Sequence, residues 1–279
     1  MTRKSAAMAL AITATLWSIG GVFIKSVEWN PLAIAGTRSG IAAVFLLLVL
    51  GKPKIRFSWP LIGAAVSTAS CMLLFVSATC LTTAANAVVL QYLAPLHVAI
   101  LAPKFLGEPT KGRDWLALAL ALGGMTLFFW DEVSPDGQLG IFLALGSSLA
   151  FAGIPLCLRK LGDQGGQTEA VLLGNALLAV VCSPFYFQAG QGGYPDLKGV
   201  GALLILGVIQ TGLAYYIYTK AVRHVRALPA MLIPVIEPIL NPVWVFLFIG
   251  ERPSSHAILG GAIVLGAATM QGLMAARSR

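Results

Sequence analysis

The chain has 279 residues, 57% hydrophobic and only 11% charged, with a mean hydropathy of +0.83. A soluble domain is nearer a quarter charged, so the composition excludes a soluble globular protein and points to a polytopic membrane protein. A net charge of +8 would suggest nucleic acid in a soluble chain; its distribution here gives another reading, and no nucleic-acid partner is expected.

Apolar segments fall at residues 6–27, 31–50, 60–80, 84–106, 112–130, 138–158, 168–187, 197–219, 227–249 and 256–275. Each can cross about 30 Å of hydrocarbon as a helix. Lipid offers no partner to an unpaired peptide group, so an all-α fold of ten transmembrane helices is expected. Turn formers fill the connections, among them Trp29-Asn30-Pro31, Gly51-Lys52-Pro53, Ser134-Pro135-Asp136-Gly137 and Gly162 to Gly166. Arg3 and Lys4 before an apolar run imitate a signal peptide, but the run is long and lacks a small-residue cleavage site, so it reads as the first span. Cys71, Cys80, Cys157 and Cys182 lie in or at the ends of apolar segments without metal-ligand spacing and read as small core residues.

The cations set the orientation. With the N-terminus inside, Arg3, Lys4, Lys52, Lys54, Arg56, Lys104, Lys111, Arg113, Arg159, Lys160, Lys220, Arg223, Arg226, Arg277 and Arg279 are cytoplasmic. Only Lys25, Lys198 and Arg252 are then external, with Arg38 inside span 2. That is a strong positive-inside bias. Both termini are expected in the cytoplasm, and the location expected is a bacterial inner membrane.

The second half repeats the first. Thr68 and Thr211, Phe75 and Tyr218, Pro95 and Pro238, and Gly107-Glu108 and Gly250-Glu251 all stand 143 residues apart. Span 1 matches span 6 at a distance of 134, with Trp17 on Phe151 and Lys25 on Arg159. Five spans per unit require opposite insertion. The sequence is therefore expected to form a 5+5 inverted-topology repeat, residues 1–134 and 135–279, with a substrate site at midplane between the units.

The repeat, the Trp17-Ser18-Ile19-Gly20-Gly21 motif, Leu90-Gln91-Tyr92-Leu93-Ala94-Pro95 with Gly107-Glu108, and Pro234-Val235-Ile236-Glu237-Pro238 with Gly250-Glu251 together resemble the EamA-type transporters of the drug/metabolite transporter superfamily. The resemblance covers essentially the whole chain. It implies ten helices around a central cavity, alternating access, and often export of amino acids or other small metabolites. The branch that exports aromatic amino acids would carry a bulkier aromatic near Ala94, so that specificity is not carried over.

Span 9 is the most unusual segment. Pro234, Pro238 and Pro242 free carbonyls along one side, which is costly against lipid and useful against a polar cavity. Glu237 and Asn241 share that face, and an intramembrane carboxylate marks function by default; the bland reading is a buried, structurally tied acid. In span 4, Gln91, Tyr92 and His97 are candidates. His97 is expected to face Glu237 across the centre as a proton-coupling partner, against the reading of a packing histidine. Arg38 would hold a substrate carboxylate or pair with Glu237, unless it snorkels. Trp17 would cover a substrate face or make a cation–π contact, although an aromatic stripe is more often packing. Of Tyr215, Tyr216 and Tyr218, one or two are expected to line the cavity, Tyr215 among them.

No G-x-x-x-x-G-K-[ST], H-E-x-x-H or G-x-S-x-G pattern is present, so no ATP drive, no cofactor, no metal and no enzymatic activity are expected. The leading expectation is a monomeric secondary transporter in the lipid bilayer that exports amino acids or related small polar metabolites by alternating access, with protons as a coupling partner. The alternative is a carrier of organic cations, quaternary amines or drugs using Glu237 and an aromatic cage. An intramembrane lipid enzyme or a scaffold is a further class; neither explains a repeat converging on polar residues.

Overall fold

The computed structural model describes residues 1–24, 26–132, 136–190, 193–240, 243–244 and 254–277. Among them the chain is helical without strands, apart from an isolated bridge between Gly190 and Gly193. The elements are α1 Arg3–Ser18, α2 Gly20–Ile24, α3 Pro31–Leu50, α4 Trp59–Leu81, α5 Ala84–Gln91, α6 Ala94–Leu106, α7 Gly112–Phe128, α8 Gln138–Lys160 and α9 Gln167–Val181. Then come α10 Leu197–Ile205, a π-helix Leu206–Leu213, α11 Ala214–Ala221, α12 Ala227–Leu232, a 3₁₀ turn Ile233–Ile236 and α13 Ser255–Arg277.

Among the described residues, seven helices are long and apolar enough to cross a membrane: Arg3–Ile24, Pro31–Leu50, Trp59–Leu81, Ala84–Leu106, Gln138–Lys160, Leu197–His224 and Ser255–Ala276. Gln167–Val181 and Ala227–Leu240 are shorter apolar helices. With α7 they occupy the ten positions expected, and Leu48, Phe142, Val180 and Ile258 expose large apolar side chains that only lipid would accept. The protein is an all-α polytopic membrane protein.

Helix ends follow local chemistry. Asn30 caps α3, its Oδ1 accepting from the Leu32 amide at 2.9 Å, with Pro31 in the first turn. Thr83 caps α5 and Asp196 caps α10. Gly107 ends α6 in the left-handed region at φ +69°. Small residues allow close packing between spans: a Cβ at Gly124 of α7 would stand 2.9 Å from Val264 Cγ2 of α13 and 3.0 Å from the Gly260 carbonyl.

Three spans are broken, two of them at the prolines of spans 4 and 9. Span 1 breaks at Ile19, span 4 at Tyr92–Leu93, and span 9 passes from α12 into the 3₁₀ turn before helical residues resume at Glu237. Pro95 and Pro234 cannot donate to the carbonyl four residues earlier, which accounts for the last two. Helix resumes at Ala94 and at Glu237, 143 residues apart; α7 and α13 begin at the same separation, at Gly112 and Ser255.

A candidate substrate cavity and the charges that line it

A cavity of about 810 Å³ runs into the centre of the helices. Its mouth carries Trp29, Asp131, Glu132 and Ser254, and its inner end reaches Trp17, Arg38, Phe151, Tyr215 and Glu237. At the mouth, hydrogen bonds from His256 and Ser254 hold the exposed Asp131 carboxyl below its ordinary value. The His256 contact, Nδ1 to Oδ1 at 3.1 Å, ties the end of α7 to the start of α13.

Arg38 comes from the middle of α3. It is buried at 6% exposure and does not snorkel to an interface. One terminal nitrogen, Nη1, donates to Gln210 Oε1 at 3.3 Å, and Nη2 contacts Met72 Sδ at 3.2 Å. Neither partner is charged.

Glu237 stands where helix resumes after the 3₁₀ turn, half-buried and open to the cavity. Its Oε2 accepts from the Tyr92 hydroxyl at 2.8 Å. The two proline-broken spans thus meet through this contact. Among the described residues, Arg38 and Glu237 form no ion pair with one another; the pairs present are Arg159–Glu108, Arg226–Asp114 and His256–Asp131. Gln91 lines the cavity and donates to Ser147 Oγ at 2.9 Å, fixing α5 to α8.

Trp17 packs on Tyr215, Tyr218 and Phe151 at centroid distances of 5.2, 5.5 and 6.4 Å, and Tyr92 meets Phe151 edge-on at 6.2 Å. Tyr215 lines the cavity and its buried hydroxyl has no hydrogen-bond partner among the described residues; Tyr216 and Tyr218 do not line it.

Trp17, Arg38, Gln91, Tyr92, Tyr215 and Glu237 therefore share one cavity. His97 does not join them. Its Nδ1 lies 3.4 Å from Ser148 Oγ of α8, off the cavity wall. The break at Tyr92–Leu93 is the reason: Val88, Gln91 and Tyr92 face the cavity, while α6 restarts beyond it and packs on α8 and α12. Asn241, Pro242, Gly250, Glu251, Arg252 and Lys25 lie outside the described residues. Gln210, Met72 and Thr211 line the cavity although the sequence had not singled them out as site residues. A glutamine within an apolar run was the available signal for the first. Among the described residues no group of three or more His, Cys, Asp and Glu side chains could hold a metal.

The sequence model of the EamA-like transporter family matches residues 4–130 and again residues 138–271. The chain belongs to the EamA-like transporter family. It is a membrane transporter of that family, similar along nearly its whole length to an uncharacterized transporter, YwfM, of Bacillus subtilis (26% identical, covering 91% of this chain and 89% of the relative). An uncharacterized transporter of Archaeoglobus fulgidus is 25% identical over 92% of each chain, and protein RarD of Escherichia coli 25% over 94% of this chain and 92% of its own. A solved crystal structure superposes with a TM-score of 0.85 at 18% identity, covering 99% of this chain and 100% of that one, which shows a shared fold.

In this EamA-like chain the end opposite the mouth carries two ion pairs. Arg159 donates to Glu108 at 2.6 Å, and the other Glu108 oxygen accepts from the Ala227 amide at 2.7 Å, capping α12. Arg226 donates to both oxygens of fully buried Asp114 at 3.1 Å, and Gln271 Nε2 adds a bond at 3.2 Å. Gly107 makes the turn that ends α6, and Glu108 beside it joins that end to α8 and α12.

Proposed function

We propose that the protein is a secondary carrier of small zwitterionic solutes, amino acids first among them. The observation that carries this reading is that Arg38 and Glu237 line one cavity with opposite charges and do not pair with each other. A substrate with both a carboxylate and an ammonium meets each with its opposite, and desolvated charges demand such partners. Tyr215, whose buried hydroxyl has no hydrogen-bond partner among the described residues, would supply a further donor or acceptor. The aromatic rings of Trp17 and Phe151 form the apolar wall on which a side chain would rest. Arg38 also weighs against the organic-cation alternative, because a cation entering the cavity meets a buried cation.

Alternating access is supported by a cavity with its mouth at one end and ion pairs at the other. The two matches to the family and the equal spacing of helix starts support an inverted repeat over residues 1–134 and 135–279. By the positive-inside bias the end with the ion pairs is cytoplasmic, as are both termini, in an inner membrane. With His97 off the cavity wall, Glu237 is the group that would exchange a proton during transport. Export as the direction rests on the resemblance alone. The test is counterflow of radiolabelled amino acids in sealed proteoliposomes of the purified protein. Saturable exchange that unlabelled amino acids inhibit and choline does not is the expected result; inhibition by choline and not by amino acids would sink the zwitterion reading in favour of the cation carrier.

A further inference from the structure

An arginine and a glutamate facing the same cavity attract one another strongly in a low-dielectric interior. If they collapsed together, each would occupy the other's binding capacity, and a substrate would have to break the pair before binding. Something must hold them apart, and the π-helix Leu206–Leu213 carries the residue that does so. Such segments are rare and concentrate at functional sites. Gln210, within it, is buried, and its Oε1 accepts from Arg38 Nη1 at 3.3 Å and from Thr211 Oγ1 at 2.9 Å. Its Nε2 donates to the Trp17 carbonyl at 3.3 Å, beside the break in span 1. All three bonds fix the amide with its oxygen toward the guanidinium. The surroundings are cut to fit. A Cβ at Gly20 would lie 2.9 Å from Gln210 Nε2, and one at Gly207 would lie 3.0 Å from the Arg38 carbonyl and 2.5 Å from Ile41 Cβ. Glycine at both positions lets the π-helix rest directly on spans 1 and 2.

We infer that Gln210 is a positioning residue that holds the Arg38 guanidinium away from Glu237 and keeps its charge free for a substrate carboxylate. A neutral amide is the chemistry this task needs: it anchors the guanidinium without neutralising it, and the second anchor, Met72 Sδ, is neutral as well. A carboxylate at the same place would pair with Arg38 and leave the cavity with a net negative charge. The inference rests on the zwitterion reading above and adds the residue that sets its selectivity.

The experiment compares the purified full chain with Gln210→Glu and Gln210→Leu. Dissociation constants come from ligand-induced rises in melting temperature. The probes are the twenty standard amino acids and the amines formed from them by decarboxylation. The wild type is expected to bind an amino acid more tightly than its amine. In Gln210→Glu that preference falls by about tenfold or reverses, while the amine still binds; a merely structural role would weaken both alike. In Gln210→Leu, where Arg38 is free to close on Glu237, amino acid binding weakens by about tenfold in protein that keeps the wild-type gel-filtration profile. An unchanged amino acid to amine preference in Gln210→Glu overturns the inference, as does unchanged amino acid affinity in Gln210→Leu should the first variant not fold. A wild type that no amino acid stabilises overturns the zwitterion reading itself, a separate outcome.

Discussion

At the scale of single residues, the cavity depends on two charges and one hydroxyl. The Arg38 guanidinium would make charge-assisted bonds to a substrate carboxylate, worth about 1.5–3 kcal/mol each. Arg38→Gln is therefore expected to raise the half-saturation concentration for amino acid counterflow by about ten- to a hundredfold. Tyr92→Phe removes the 2.8 Å bond to Glu237 and leaves the carboxyl one partner short, at about 1–3 kcal/mol. Thermal melting in detergent should show a fall of a few degrees, and an unchanged melting temperature would mean that the bond contributes nothing. Arg38 and Glu237 were legible in the sequence because an ionisable residue in an apolar run is costly and stands out. Gln210 stood out as a glutamine in an apolar run but carries no charge to mark it as functional, and the π-helix that aims it has no periodic signature of its own. His97 was misplaced because its face was projected along an unbroken helix, and the chain breaks at Tyr92–Leu93, two residues before Pro95.

At the scale of elements, the ion pairs at the end opposite the mouth hold helices that apolar contacts alone would leave free to slide. Asp114 is fully buried while Arg226 is partly exposed, with side-chain exposures of 0% and 26%. Removing the arginine strands a buried carboxylate that, among the described residues, retains the Lys111 amide and Gln271. Arg226→Ala should cost about 3–5 kcal/mol, and Asp114→Asn in the same chain should recover part of it, because the stranded charge is then gone. Equal melting temperatures for wild type and Arg226→Ala would refute the role. Helix positions could be read from composition, since ten apolar runs bounded by turn formers leave little choice. The internal breaks were only partly legible: Pro95 and Pro234 announced two of them, whereas the break at Ile19 has no proline nearby; Gly20 and Gly21 follow it, and Gln210 bonds the Trp17 carbonyl beside it.

At the scale of the whole molecule, a cavity with its mouth at one end and ion pairs at the other fits one of the two states of the proposed alternating access. Glu108 joins Arg159 to the start of α12, so weakening it should favour the opposite state. Glu108→Gln is expected to raise hydrogen–deuterium exchange at residues 104–112 and 222–228 and to lower it at the mouth around residues 128–132; a rise at both ends would indicate loosening rather than a shift between states. Transport is expected to use the Glu237 carboxylate in this cavity. The most direct measurement is amino acid counterflow in sealed proteoliposomes containing Glu237→Gln, beside wild-type protein reconstituted to the same amount and with the same gel-filtration profile. Counterflow reduced at least tenfold in the variant is the expected result, and undiminished counterflow with the same dependence on pH would contradict it.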